Sequence, residues 1–157
     1  MLLKVNRQAI VGANLGGRGG KEKQLKKLFE NDLTIINAPL YDAEDERGHK
    51  YEFKKQKDLQ WFDIGKYHDL SPSDKEINMV FVVYKTEVTF IAVIKLGCFI
   101  DRMTTTAKYH PLGWTKENIK EMYNRKKLYP SFQTKAKLKV REFVTENKDI
   151  VGFLYKK

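Results

Sequence analysis

Two apolar runs, Met79 to Lys85 and Val88 to Lys95, are separated only by Thr86 and Glu87. Their β-branched and aromatic content, with so short a gap, predicts an antiparallel hairpin. The runs are almost continuously apolar instead of alternating, so both of their faces must be covered. A pair of strands like that belongs at the centre of a sheet with packing layers on each side, and it excludes a helical bundle. Around it the periodicity is mixed. Lys21 to Asn31 places Leu25, Leu28 and Phe29 at helical spacing, whereas Leu33 to Ala38 reads as a short strand. Lys50 to Lys54 alternates, with Tyr51 and Phe53 on one face and Glu52 and Lys54 on the other. Thr115 can cap a helix whose Ile119, Met122 and Tyr123 turn inward, ending before Pro130. Lys137 to Val144 and Asp149 to Tyr155 read as further strands. The expected class is α/β (α+β), a mixed central sheet flanked by helices, in one domain spanning residues 1–157.

Charge narrows the partner. Thirty Lys and Arg against twenty Asp and Glu give a net charge of +10 on 157 residues. Between Asp101 and Arg141 eleven basic residues face only three acids, so much of the surplus lies in the C-terminal third. Such a surplus points to a polyanion, nucleic acid or an anionic surface. The longest apolar run is too short to cross a bilayer, so no membrane partner is expected. The stretch Met1-Leu2-Leu3-Lys4-Val5 lacks the apolar core of a signal peptide, which makes an intracellular, cytoplasmic location the expectation. Cys98 is the sole cysteine, which excludes an internal disulfide; it reads as a buried small apolar group. The glycine-rich loop Gly12 to Gly20 lacks the spaced Gly-Lys-Ser/Thr of a P-loop, so no nucleotide cofactor is expected. Backbone approach to DNA phosphates, helped by Arg18 and Lys21, suits that loop better.

Against this basic background, Asp42, Glu44, Asp45 and Glu46 form an acidic knot. A turn around Arg47 and Gly48 follows, and then the strand that carries Glu52 and Lys54. If Asp42 leads into the turn and Glu52 follows it, their carboxylates converge. With a strand carbonyl such as that of Phe53, they offer oxygen ligands to Mg²⁺, which accepts few carboxylates and keeps several waters. Lys54 is then placed to orient or help deprotonate an attacking water and to hold charge on a phosphate. The bland alternative is a surface salt-bridge cluster.

An Asp followed about ten residues later by Glu-x-Lys resembles the PD-(D/E)xK nuclease superfamily. Asp42-Ala43, Asp45, Gly48 and Tyr51-Glu52-Phe53-Lys54 resemble the catalytic segment of the PvuII-type restriction endonucleases at the same spacing. Gly19-Gly20-Lys21 is similar to the Gly-Gly-Lys that opens their preceding helix, and Phe81-Val82-Val83-Tyr84-Lys85 is similar to their following hairpin. The resemblance spans roughly residues 17–95. It implies a restriction-endonuclease-like sheet, Mg²⁺ on Asp42 and Glu52, Lys54 as catalytic lysine, and cleavage of DNA by a metal-activated water. His68 lies where the family places guanine-reading histidines, here flanked by Tyr67 and Asp69. Pro39 stands where the family has a further glutamate, a role then absent or supplied by Glu44 or Asp45. The segment before Gly-Gly-Lys is shorter than in the family, where it builds the dimer.

These expectations add up to a Mg²⁺-dependent endodeoxyribonuclease of restriction type, microbial or viral, acting as a homodimer on a short palindromic site in duplex DNA. A junction-resolving or other structure-specific nuclease is the alternative, and a non-catalytic DNA-binding module the second. Gln133, Thr134 and Lys135 are expected in a loop able to enter a groove, with Gln133 suited to adenine.

Overall fold

The computed structural model describes residues 3–11, 13, 21–106, 108, 109, 115, 117–128 and 135–157. Its centre is the expected hairpin, β5 (Asn78–Tyr84) against β6 (Val88–Lys95), paired antiparallel from Asn78 opposite Lys95 to Val83 opposite Phe90. Before it come β1 (Thr34–Ile35), β2 (Ala43–Glu44) and β3 (Lys50–Gln56); β8 (Gly152–Lys156) closes the chain. They form a six-stranded sheet in the order β1-β2-β3-β5-β6-β8. The pairing of β3 with β5 is parallel and the rest antiparallel, so the sheet is mixed and the architecture α+β.

The parity of the central strands explains most of both cores. Met79, Phe81, Val83, Phe90, Ala92 and Ile94 face one side; Val80, Val82 and Ile91 face the other, joined by Val88 beyond the register shift at Val83 and Tyr84, and all are buried. On the first side lie β4 (Leu59–Asp63), α3 (Leu96–Thr105), α4 (Ile119–Leu128), β7 (Lys135–Lys139) and α5 (Val140–Glu146), with β4 and β7 forming their own two-stranded ladder. Phe99 is the pivot of this side: its ring meets Phe62 at 4.9 Å, Phe143 at 5.4 Å and Phe81 at 5.8 Å. Burying a side chain of that size stabilises by about 1.5–3 kcal/mol. On the second side Leu3, Ile10 of α1 (Arg7–Ile10), Leu25 of α2 (Lys21–Lys26), Leu28 and Phe29 cover Tyr51 and Phe53. No helix of the described residues is long and apolar enough to cross a membrane.

Several expectations need correction. Lys137 to Val144 is not one strand: the chain leaves β7 at Lys139 and enters α5. Val140, Phe143 and Val144 recur at i, i+3 and i+4, which buries all three on one helical face, an arrangement alternation could not give. Lys135 is the first residue of β7, opposite Asp63, instead of lying in a loop. The N-terminal helix ends at Lys26, because the turn through Leu28 and Phe29 packs those residues downward while Glu30 N–H bonds the Lys4 carbonyl. Strand β1 keeps only Thr34 and Ile35 of the expected Leu33 to Ala38. Cys98 is exposed: Leu96, Phe99, Ile100 and Met103 take the buried stripe of α3 and leave position 98 outside. Thr115 does cap α4, its hydroxyl accepting from Asn118 N–H at 3.3 Å, while Asn118 Oδ1 accepts from Thr115 N–H at 2.7 Å.

Candidate active site

Strand β3 builds the site from its alternation. Tyr51 and Phe53 are fully buried against the second core, which fixes Glu52, Lys54 and Gln56 on the opposite face. Glu52 is only 9% exposed, and Lys54 Nζ stands 3.4 Å from its Oε1. The ammonium of Lys54 also lies 5.7 Å from the Phe62 ring centroid, so β4 roofs this part of the strand.

Asp42 joins them through the backbone. Strand β2 has only two residues and ends before it can pair the whole of β3. Asp42 Oδ2 takes over, accepting a 2.8 Å hydrogen bond from Phe53 N–H, while Asp42 N–H donates to the Tyr51 carbonyl at 2.8 Å. The N–H and C=O of one strand residue point to the same edge, so the Phe53 carbonyl shares this edge with the Asp42 carboxylate. One oxygen-rich corner therefore gathers Asp42, Glu52 and the Phe53 carbonyl beside Lys54.

Electrostatics mark the corner. Burial pushes the Glu52 carboxyl up, and the neighbouring Asp42 charge pushes it further; Lys54 and Lys66 pull the other way without prevailing. Two carboxylates held together against desolvation form a place where a divalent cation would be stabilising. Lys66 comes from the 3-10 turn Ile64–Tyr67 that follows β4, and sequence reading did not single it out. No motif marks it; only the return of the chain over the sheet brings it near. Among the described residues no group of three or more His, Cys, Asp or Glu has metal-holding geometry, so the corner offers two carboxylates and a carbonyl.

The acidic knot is divided by strand parity. Glu44 pairs with Lys50 and so shares the Glu52 side of the sheet. Asp45 belongs elsewhere. Its Oδ1 accepts from the N–H groups of Arg47 and His49, both at 2.9 Å, and its Oδ2 from Tyr51 Oη at 2.8 Å, with His49 Nδ1 at 3.0 Å. Burial opposes the charge of Asp45, but these hydrogen bonds outweigh it and hold the carboxyl below the ordinary carboxylate range. Asp45 thus organises the turn at Gly48, whose φ of +84° suits glycine. Of the two acids considered for the role at Pro39, Glu44 shares the side of Glu52 and Asp45 does not.

The expected DNA contacts are less concentrated. His68 Nδ1 lies 2.8 Å from the Gly65 carbonyl, and its ring stacks on Tyr123 at 4.4 Å, bridging the 3-10 turn to α4. Lys21 opens α2, and Lys135 opens β7. Arg18, Gln133 and Thr134 lie outside the described residues. Gln56, which sequence reading also passed over, is 6% exposed, and among the described residues neither atom of its amide has a hydrogen-bond partner. A scan against protein-family models gives no match, and a search of curated proteins gives no significant relative.

Proposed function

We propose that this protein is a Mg²⁺-dependent endonuclease that hydrolyses phosphodiester bonds in duplex DNA. The observation that carries the reading is the corner where Asp42, Glu52 and the Phe53 carbonyl meet beside Lys54, in a chain of net charge +10. The donor set suits a hard cation: Asp42, Glu52 and the Phe53 carbonyl would hold Mg²⁺, which when bound supplies Lewis-acid activation of water at neutral pH.

The chain's own residues supply the rest. Glu52 anchors Lys54 so that its ammonium stays at the mouth of the corner with one strong partner and further N–H donors to spare. Those donors can orient a water and bond the phosphate oxygens as negative charge builds on them. Phe62, whose ring centroid lies 5.7 Å from the Lys54 ammonium, limits the positions that ammonium can sample. Lys66 adds a second positive charge within electrostatic reach of Glu52, where a bound phosphate would feel it.

The finer reading is an enzyme of restriction type, working as a homodimer so that each subunit cuts one strand of a palindromic site. The test is incubation with plasmid DNA and Mg²⁺, with and without EDTA. Cleavage dependent on Mg²⁺ and lost in Lys54→Ala, which still binds DNA, supports the proposal. Discrete fragments support the restriction type, and cutting confined to branched substrates reassigns the protein to the junction-resolving class. DNA binding with no cleavage under any divalent cation overturns the enzyme reading.

A further inference from the structure

A second basic feature lies away from the corner, where the β5–β6 turn, the start of α5 and the end of β8 come together. A groove of about 420 Å³ is lined there by Lys85, Arg141, Lys156 and Lys157 around the rings of Phe90 and Phe153. Among the described residues its lining carries four cations and no acid. Of these, Lys157 pairs with a carboxylate of the described residues, Glu87, at 2.7 Å.

The remaining cations are held in ways that leave charge outward. The Arg141 guanidinium lies over the Phe90 ring at 5.4 Å and donates to Thr89 Oγ1 at 3.4 Å. The Lys156 ammonium lies 5.5 Å from the Phe153 ring centroid. Cation–π seating fixes the stems at modest desolvation, so the charges are preorganised toward whatever enters. Phe153, 37% exposed and packed edge-on against Phe90 at 6.2 Å, gives the floor an apolar platform.

The groove is tied to the catalytic strand. The Val140 and Arg141 N–H groups bond the Asp58 carbonyl and Oδ1, both at 2.9 Å, and Asp58 sits in the turn after β3. Asp58 follows Lys54 by four residues in sequence, the last two of them beyond the end of β3 at Gln56. A cationic groove with an aromatic floor, on a helix start hydrogen-bonded to the turn that follows β3, has the chemistry of a nucleic-acid backbone site.

We infer that this groove grips the phosphate backbone of the nucleic acid outside the cleaved position, as an accessory binding surface of the same protein. The inference rests on the reading of the protein as one that handles DNA, but not on cleavage. Its test is anisotropy of a labelled duplex in EDTA, titrated with wild type and with Arg141→Gln/Lys156→Gln between about 50 and 200 mM salt. The variant should bind roughly 10-fold more weakly, and its slope of log K against log salt should fall by about 2. Lys75→Gln/Lys148→Gln removes the same charge from other surfaces and should match wild type; Lys85→Gln/Lys156→Gln, which leaves Arg141 on Phe90, should reproduce the loss. Unchanged affinity and slope overturn the inference, as does an equal loss in the charge-matched control. Binding to vesicles of anionic lipid that falls in the groove variant, while DNA binding does not, also overturns it. Plasmid cleavage with Mg²⁺ is followed in parallel: a groove effect without cleavage keeps the groove and removes the nuclease, and cleavage without a groove effect does the reverse.

Discussion

In metal-free protein, Lys54→Met and Glu52→Gln should move stability in opposite directions. The two groups stand 3.4 Å apart with side chains 20% and 11% exposed. At an effective dielectric near 20, unit charges at that distance attract by about 5 kcal/mol, most of which offsets their removal from water. Deleting the cation leaves Glu52 buried beside Asp42, with Lys66 as the compensating cation among the described residues. For a partly exposed pair the expected loss is about 1–3 kcal/mol at neutral pH, below that of a fully buried one. Glu52→Gln instead removes the group that suffers both burial and like-charge repulsion, and it keeps the shape. That variant should be as stable as wild type or up to about 1 kcal/mol more so, and inactive in cleavage.

The pH dependence follows from the sign of the Glu52 shift. The folded state holds its proton more tightly than the unfolded state, whose ordinary value is 4.5. Below that value both states are protonated and stability is unaffected. As pH rises through the raised folded value the folded state is penalised, and Lys54→Met, lacking the compensating cation, is penalised more. Urea unfolding in EDTA at about pH 5 and about pH 8 should therefore show the gap between wild type and Lys54→Met widening with pH. A gap independent of pH, or a Glu52→Gln protein destabilised by more than about 1 kcal/mol, refutes the reasoning; the pair would then be a structural salt bridge.

Three further outcomes can be measured on the same footing. Gln56→Met should raise stability by about 1–2 kcal/mol in urea unfolding, because it removes a buried amide whose polar atoms have no partner among the described residues. Asp45→Asn should cost about 1–3 kcal/mol near neutrality by weakening the acceptor for Tyr51 and His49. Because the folded-state value of Asp45 is lowered, its contribution is present above the ordinary value of 3.8 and lost as pH falls through the lowered one, so wild type and variant should converge in strong acid. Gly97→Ala should lower Tm, since a Cβ there would lie 2.7 Å from Lys75 Cβ where α3 packs on the segment Asp74–Glu76; a loss of about 1–3 kcal/mol is expected.

What could be read from the residues was whatever local periodicity decides. The hairpin, its central place and the shared face of Glu52 and Lys54 all depend on alternation between neighbours, and β5, β6 and β3 carry that signal strongly. Strand β4 and helix α3 went unassigned because Leu59–Asp63 is short and Leu96–Thr105 follows β6 without a break, so the apolar run hides the change of period. The Lys139 junction was missed for a related reason, since one continuous basic-apolar stretch serves first as strand and then as helix. The convergence of Asp42 with Glu52 was legible in outline, through spacing across a Gly turn. Its means was not, because the hydrogen bond from Phe53 N–H depends on β2 beginning only at Ala43, which leaves the Asp42 side chain to meet that amide. The Phe90–Arg141–Lys156 groove is assembled from three distant segments, and nothing in any one of them marks it.

The bond between Asp42 and Phe53 makes the candidate site and the sheet margin one object. A carboxylate that closes a strand end cannot be exchanged for its chemistry alone: Asp42→Ala would release the Phe53 amide and loosen the strand that carries Glu52 and Lys54. Asp42→Asn retains a carbonyl oxygen for that amide and removes only the charge. Any redesign or evolutionary drift of this corner is therefore channelled, with position 42 tolerating change only among side chains that can still accept that bond.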